Sequence, residues 1–522
     1  MQPTAEQQAA VDAFRTGGSL VLEAAAGSGK TTTLKLLAKA TPHRRGVYVA
    51  YNRAIATDAK RSFPPNVECA TAHSLAYRAV AGPYKHRLNA GRQPTWKTAE
   101  LLRINSSARI GGRAIPPPRV ARLVMETVGR FCNSADRELA VRHVPGVNGL
   151  EESDLAREVA DLVLPLAERA WLDLRNPGGS LRFDHDVYLK LWSLTDPHLP
   201  FDFVLLDEAQ DANPVIAYIV QSQDHAQQVM VGDACQAIYG WRGAQDAMST
   251  FVADRRLALT RSFRFGPRIA GEANKWLELL DARLRVEGHP PIESVVGVGL
   301  GDTDAVLCRT NAGAIARVME AHAQGRKVAL VGGGEQAKAL AEASIELKAG
   351  RGCSHPELFA FQTWGEVQQY VGEDHGGRDL AVFVKLIDEH GPEAVIRATS
   401  RLIEEKDADL VVSTAHKAKG REWSSVAIGN DFQDPDHSDR AMTREEQMLA
   451  YVSVTRAMHV LDVGGLSFVN RLLTQHRLEN PDGGAWAREQ AEPAAATLDP
   501  LVAAAPDPDA FVTGAAGTTL FG

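Results

Sequence analysis

Several things are scarce in this sequence, and each absence removes a class of protein. Its five cysteines, Cys69, Cys132, Cys235, Cys308 and Cys353, are scattered, with no CxxC pair and no histidine at ligand spacing. That excludes a disulfide framework and a structural zinc, and it points to a reduced, intracellular setting. No apolar run reaches bilayer-spanning length, and the opening "MQPTAEQQAAVDAF" lacks a cleavable-signal pattern, so no membrane association is expected. Positive charge is not in excess either: 57 Lys and Arg against 65 Asp and Glu leave a net charge of -8. Bulk attraction therefore cannot hold the chain to nucleic acid, and any polyanion would need a basic groove within an acidic whole. What remains is a 522-residue chain, 44% hydrophobic and 23% charged, with the balance of a soluble globular protein and room for several domains.

The first fifty residues alternate a helix ("AEQQAAVDAF"), an apolar strand ("SLVLEA"), a Gly-rich turn, a helix ("TTTLKLLAKA") and a strand ("GVYVAY"). Such alternation implies a parallel sheet covered by helices. From Arg78 to Met125 the chain holds ten Lys and Arg against the single acid Glu100, and the next sheet strand, "FDFVLL", arrives only near position 201. The expected organisation is α/β, two parallel-sheet P-loop units in tandem, each interrupted by a mostly helical insertion. A first lobe takes residues 1–80 and 199–256, with 81–198 inserted; a second takes 257–334 and 408–484, with 335–407 inserted. The Ala- and Pro-rich 485–522 reads as a disordered tail.

The stretch "AAAGSGKTTT" at 24–33 sits where a strand becomes a helix. There Gly27 and Gly29 let the backbone turn N–H groups toward an anion, Lys30 reaches the outer phosphates, and Thr31 can hold Mg²⁺. Ala26, Ser28 and Thr32 complete this nucleotide-binding set, while Ala24 stands where the strictest pattern has glycine. "FDFVLLDEAQD" delivers Asp207 and Glu208 to a strand end, one carboxylate for the metal and one to activate water. Taken alone, a helix N-cap explains such an Asp as well; paired with Lys30, the two stretches read as an ATP hydrolysis site. "DACQAIYGWRG" at 233–243 then follows a buried strand, with Gln236 placed to report on the γ-phosphate. Tyr239, Trp241 and Arg242 suit single-stranded nucleic acid, where rings stack on bases and a guanidinium holds a phosphate. Equally, both rings could plug a core between lobes.

These motifs, in this order, resemble the UvrD/Rep type of superfamily 1 DNA helicase across both units. The resemblance makes Gln7, in "TAEQQAAV", an adenine reader and Arg264, in "LTRSFR", an arginine finger. It gives "STAHKAKGREW", through Thr414, His416, Lys419, Gly420 and Glu422, a role in gripping DNA and joining the lobes, with Glu422 counted toward the nucleotide. Arg456, in "AYVSVTRAM", becomes the second arginine facing the γ-phosphate, with Tyr451 nearby. Asn52 and His73 join the DNA-contacting set. The elements "TAHSLAY" and "AYNRAIA" resemble the F-box DNA helicase branch, although no F-box is present. Ala50 and Ala72 depart from the family by standing where aromatic rings are common, and the second insertion is short. The resemblance implies an ATP- and Mg²⁺-dependent motor on single-stranded DNA, moving 3′ to 5′ and opening single/double-strand junctions in repair, recombination or replication. It would act as a monomer, with a loading partner open and a cytoplasmic, nucleoid-associated location in a bacterium or phage. The competing reading is a DNA-stimulated ATPase that strips bound proteins without unwinding. For the basic run at 78–125, contact with DNA and a merely solvated face both stand.

Overall fold

The computed structural model describes residues 2–88, 93–111, 113–146, 153–240, 246–353, 355, 358, 361–372, 377–432, 434–435 and 441–480. Trp241, Arg242 and the 485–522 tail lie outside them.

Short, almost uninterrupted apolar runs make the strands, as expected where helices cover both faces of a sheet. In chain order they are β1 (Leu20–Ala24), β2 (Gly46–Ala50), β3 (Val67–Thr71), the ribbon β4 (Ala108–Ile110) and β5 (Arg113–Ile115), β6 (Phe203–Leu206), β7 (Gln227–Gly232), β8 (Arg255–Leu259), β9 (Val295–Gly297), β10 (Ala305–Cys308), β11 (Val328–Leu330), β12 (Leu410–Thr414), β13 (Trp423–Ile428) and β14 (Ala457–Asp462). They form two six-stranded parallel sheets, ordered β3-β2-β6-β7-β1-β8 and β11-β12-β10-β13-β14-β9, plus the ribbon. The fold is thus two tandem parallel-sheet α/β units with helical insertions.

The chain leaves the first sheet after β3, at one edge, and re-enters at β6, between β2 and β7. The buried core of the described residues between them packs on one face of that sheet. Val47, Val49, Val204 and Met230 of the sheet share a core with Val120, Phe131, Trp171 and Tyr188 of the insertion. The opposite face packs Leu20, Leu22, Tyr48 and Phe203 beneath Phe14, Leu34 and Leu37. A third core crosses between lobes, joining Ala25, Ala26 and Ile238 to Phe265, Trp276 and Tyr451.

One boundary differs from the sequence reading. All of β8 lies in the first sheet, pairing with β1 from Leu20↔Arg255 to Ala24↔Leu259, so a division at 256 cuts through a strand. Its alternating "RRLAL" suits a sheet edge as well as the start of a new unit, and only the pairing decides. Among the described residues no helix is long and apolar enough to cross a membrane.

Candidate nucleotide cleft and nucleic-acid interface

The helix Lys30–Ala40 begins on Gly29, whose φ of 80°, like the 74° of Gly27, falls in the left-handed region. Glycine is needed at Gly27 for a second reason. A Cβ there would lie 2.6 Å from Ser262 Oγ and 2.7 Å from Arg264 Cβ, so the turn and the Arg264 segment approach backbone to backbone. Phe263 N donates to Gly27 O at 2.8 Å and completes that seam.

Parallel strands deliver the acids opposite. Asp207 follows β6 directly, and Glu208 takes a left-handed φ of 52° that swings its side chain to Lys30 Nζ, 3.0 Å away. Asp207 Oδ2 accepts from Thr31 Oγ1 at 3.1 Å and from the Tyr48 hydroxyl at 2.6 Å. Burial alone would discharge Lys30, yet Glu208, Asp233 and Asp207 outweigh it and hold the ammonium above its ordinary value. Burial likewise raises Glu208, but Lys30 and Lys419 pull it below the usual carboxylate range; Asp207, buried beside that charge, is raised. An ionised Glu208 and a charged Lys30 follow. Among the described residues no group of three or more His, Cys, Asp or Glu could hold a metal by itself. Thr31 and the lone carboxylate of Asp207 instead offer the sparse set of hard oxygens that suits Mg²⁺ shared with a polyphosphate.

The second lobe closes the other wall. Arg456, buried, donates to Gln236 Oε1 at 3.1 Å, and Gln236 Nε2 donates to Asp233 Oδ2 at 2.6 Å. Burial and the neighbouring Arg264 lower the Arg456 guanidinium to about 9. Tyr451 bridges the lobes by donating to Asp233 Oδ2 at 3.0 Å and accepting from Ala26 N at 3.4 Å. Arg264 donates to Glu422 Oε2 at 2.7 Å and to Thr455 O at 3.0 Å. Together the Gly27–Thr32 turn, Asp207, Glu208, Gln236, Arg264, Glu422 and Arg456 line one cleft of about 620 Å³. Gln7 stands behind it: its amide caps the first helix through Thr4 N, and Nε2 donates to Thr33 Oγ1 at 3.3 Å. The place for a Cβ on Gly29 lies 3.4 Å from that Nε2 and 3.8 Å from the Phe263 ring.

The polynucleotide candidates divide. Tyr239 stacks on the half-exposed Tyr51, centroids 6.2 Å apart and planes 11° apart, and its hydroxyl donates to His416 O at 3.1 Å. Tyr239 is therefore a half-buried wall between Tyr51 and the second lobe. Thr414 is a buried N-cap accepting from Lys417 N at 3.4 Å, and Asn52 caps its own helix through Ile55 N at 2.9 Å. His73 Nε2 lies 3.1 Å from Asp186 Oδ1 of the insertion. His73, Tyr51, Tyr239, Ala50 and Ala72 line a second cavity of about 540 Å³, which shares Asp207, Glu208 and Asp211 with the nucleotide cleft. In the basic run, Arg87 is buried and donates to the carbonyls of Leu174, Asn176 and Leu181, while Lys97 pairs with Glu100 at 2.9 Å. Those two cations serve the insertion itself.

Three residues escaped the sequence reading. Phe263 lines the cleft, Tyr48 holds Asp207, and Asp211 pairs with Lys419 Nζ at 2.7 Å across the lobes. Only Phe263 carried a signal, as an aromatic beside Arg264 in "SFR".

Fold and cleft together define a two-lobed α/β protein in which the Gly27–Thr32 turn, the Asp207–Glu208 pair and two arginines line one cleft between two parallel sheets. Comparison with known proteins narrows the class. Residues 190–254 match the UvrD/REP helicase N-terminal domain family. The chain is 31% identical to F-box DNA helicase protein 1 of Schizosaccharomyces pombe over 91% of its own length and 60% of that protein's. It is 29% identical to F-box DNA helicase 1 of Gallus gallus over 88% of its length and 48% of that protein's. The chain is thus similar to UvrD/REP helicases over residues 190–254 and to F-box DNA helicases over most of its length, and it spans about half to three-fifths of the relatives it matches.

Proposed function

We propose that this chain is an ATP-dependent DNA helicase that translocates 3′ to 5′ on single-stranded DNA and opens single/double-strand junctions. The observation that carries the reading is the cleft in which Lys30 and Glu208 from one lobe meet Arg264 and Arg456 from beyond β8. In it Thr31 and Asp207 would hold Mg²⁺, which when bound would supply charge neutralisation on the polyphosphate. Glu208, kept ionised by Lys30, orients and deprotonates the attacking water. Arg264, Arg456 and Gln236 face the transferring phosphoryl, and Phe263 and Gln7 face the base end. Tyr239 and Lys419 adjoin both this cleft and the Tyr51–His416 wall, so a change in lobe closure reaches the strand-gripping surface. The 3′-to-5′ polarity rests on the resemblance alone.

The test is ATP turnover with and without oligo-dT, followed by strand displacement on a 3′-tailed duplex. A rate unmoved by DNA would sink the reading. One observation favours the protein-stripping ATPase as the second reading: Ala50 and Ala72 line an open cavity where ring platforms would stand. Translocation without strand displacement would select it.

A further inference from the structure

We propose that Tyr48 is a positioning residue for the magnesium carboxylate, its buried phenol fixing Asp207 Oδ2 so that this oxygen and Thr31 Oγ1 face one divalent cation. The inference rests on the proposed reading of Thr31 and Asp207 as the metal-holding pair.

Tyr48 lies in the middle of β2, opposite Leu205 of β6, in a strand otherwise built from Gly, Val and Ala. It is fully buried in the core with Phe14, Leu34 and Phe203. Its ring leans on Phe63, centroids 4.5 Å apart. An apolar side chain would serve this packing without the cost of burying a hydroxyl, so the hydroxyl calls for a partner. That partner is Asp207 Oδ2, at 2.6 Å.

The other contacts of Asp207 explain what the phenol does. Oδ1 accepts from the backbone N of Glu208 at 2.9 Å, and Oδ2 accepts from Thr31 Oγ1 at 3.1 Å as well as from Tyr48. Donors on both oxygens set the carboxylate plane. A carboxylate oxygen that turns one of its two lone pairs to a cation keeps room for only one of its two donors, and the Thr31 hydroxyl, which would face the same cation, is the one free to turn away. Tyr48 is then the donor left on Oδ2, and it holds the plane while the metal is exchanged. A phenol is protonated at neutral pH, so it stands ready as a donor. Partners of this kind, one bond removed from the metal, are worth about 10- to 100-fold in metal affinity.

Tyr48→Phe keeps the ring against Phe63 and deletes only the donor. The full chain is titrated with Mg²⁺ while fluorescent ATP-analogue binding is followed, and Mn²⁺ uptake in the presence of a non-hydrolysable nucleotide is read by electron paramagnetic resonance. The expected result is unchanged nucleotide affinity in EDTA, an unchanged melting temperature, and an Mg²⁺ requirement raised about tenfold, with Mn²⁺ uptake weakened in step. An Mg²⁺ curve that overlays the wild type would overturn this inference alone. So would a lower melting temperature with equal losses with and without Mg²⁺, since that is a packing role. A wild-type chain whose nucleotide binding ignores Mg²⁺ would overturn the Thr31–Asp207 reading and this proposal with it.

Discussion

Arg264 and Arg456 face the same cleft, yet their surroundings give a substitution different meanings. Arg456 is fully buried, and its guanidinium donates to Val452 O, Thr455 Oγ1 and Gln236 Oε1. Truncating it would strand those acceptors and open a hole, so lost turnover would be mixed with lost stability. Arg264 is held by only two partners, one of them the half-exposed Glu422. Its removal leaves no buried charge behind. Arg264→Ala is therefore expected to lower kcat by about 10³-fold or more, as for an arginine acting on a transferring phosphoryl, with ATP affinity changed little because the contact matters in the transition state. Single-turnover hydrolysis beside equilibrium nucleotide binding measures both; equal losses in the two would reduce Arg264 to a binding contact.

At the scale of elements, the strand–turn–helix at 20–40 is constrained from two sides. Gly27→Ala would meet a positive φ, costing about 1–3 kcal/mol, and would drive its Cβ into Ser262 and Arg264. We expect nucleotide binding to weaken at least tenfold while lobe-2 residues far from the seam keep their hydrogen-exchange protection. Ser28→Ala, whose Oγ is buried without a partner, should by contrast leave stability nearly unchanged. The turn, its strand and its helix were legible because glycine, lysine and an apolar run sit side by side in the chain. The second strand with its acids was legible for the same local reason. The placement of β8 was not: a five-residue run pairs equally well with either sheet until β1 is there to receive it. Tyr48 was not either, since nothing local marks a phenol in "GVYVA" as aimed at a carboxylate 159 positions away. Gln7 was singled out through resemblance, whereas its capping bond to Thr4 follows from the helix start "TAEQ" itself.

For the whole molecule, the question is what ties the proposed hydrolysis to the second lobe, and the buried pair of Asp211 and Lys419 is one such strut. Lys419 Nζ donates to Asp211 Oδ1 at 2.7 Å, also donates to Gln236 O, and lies 5.2 Å from the centre of the Tyr239 ring. One ammonium thus touches the acid after the Glu208 turn, the backbone of Gln236 and the ring that stacks on Tyr51. Both side chains are almost wholly buried, so removing one partner leaves an uncompensated charge. Lys419→Met is expected to cost about 3–5 kcal/mol, read as a lower denaturant midpoint, and to lower the ratio of DNA-stimulated to basal ATP turnover. Asp211→Asn with Lys419→Met should recover much of the stability but not the stimulation ratio, because the Gln236 and Tyr239 contacts stay lost. The pH dependence gives a further check. Burial, opposed by Lys419, holds the Asp211 carboxyl up at about 6, above its unfolded value, so a protonated Asp211 suits the fold and its ionised form loses stability as the pH rises through that point. Without Lys419 the carboxyl moves higher still. The stability penalty of Lys419→Met should therefore shrink as the pH falls from the variant's higher titration point toward about 6 and level off below it, while an unchanging penalty above about 6 would mean that Asp211 is solvated in the variant and that the strut is not closed.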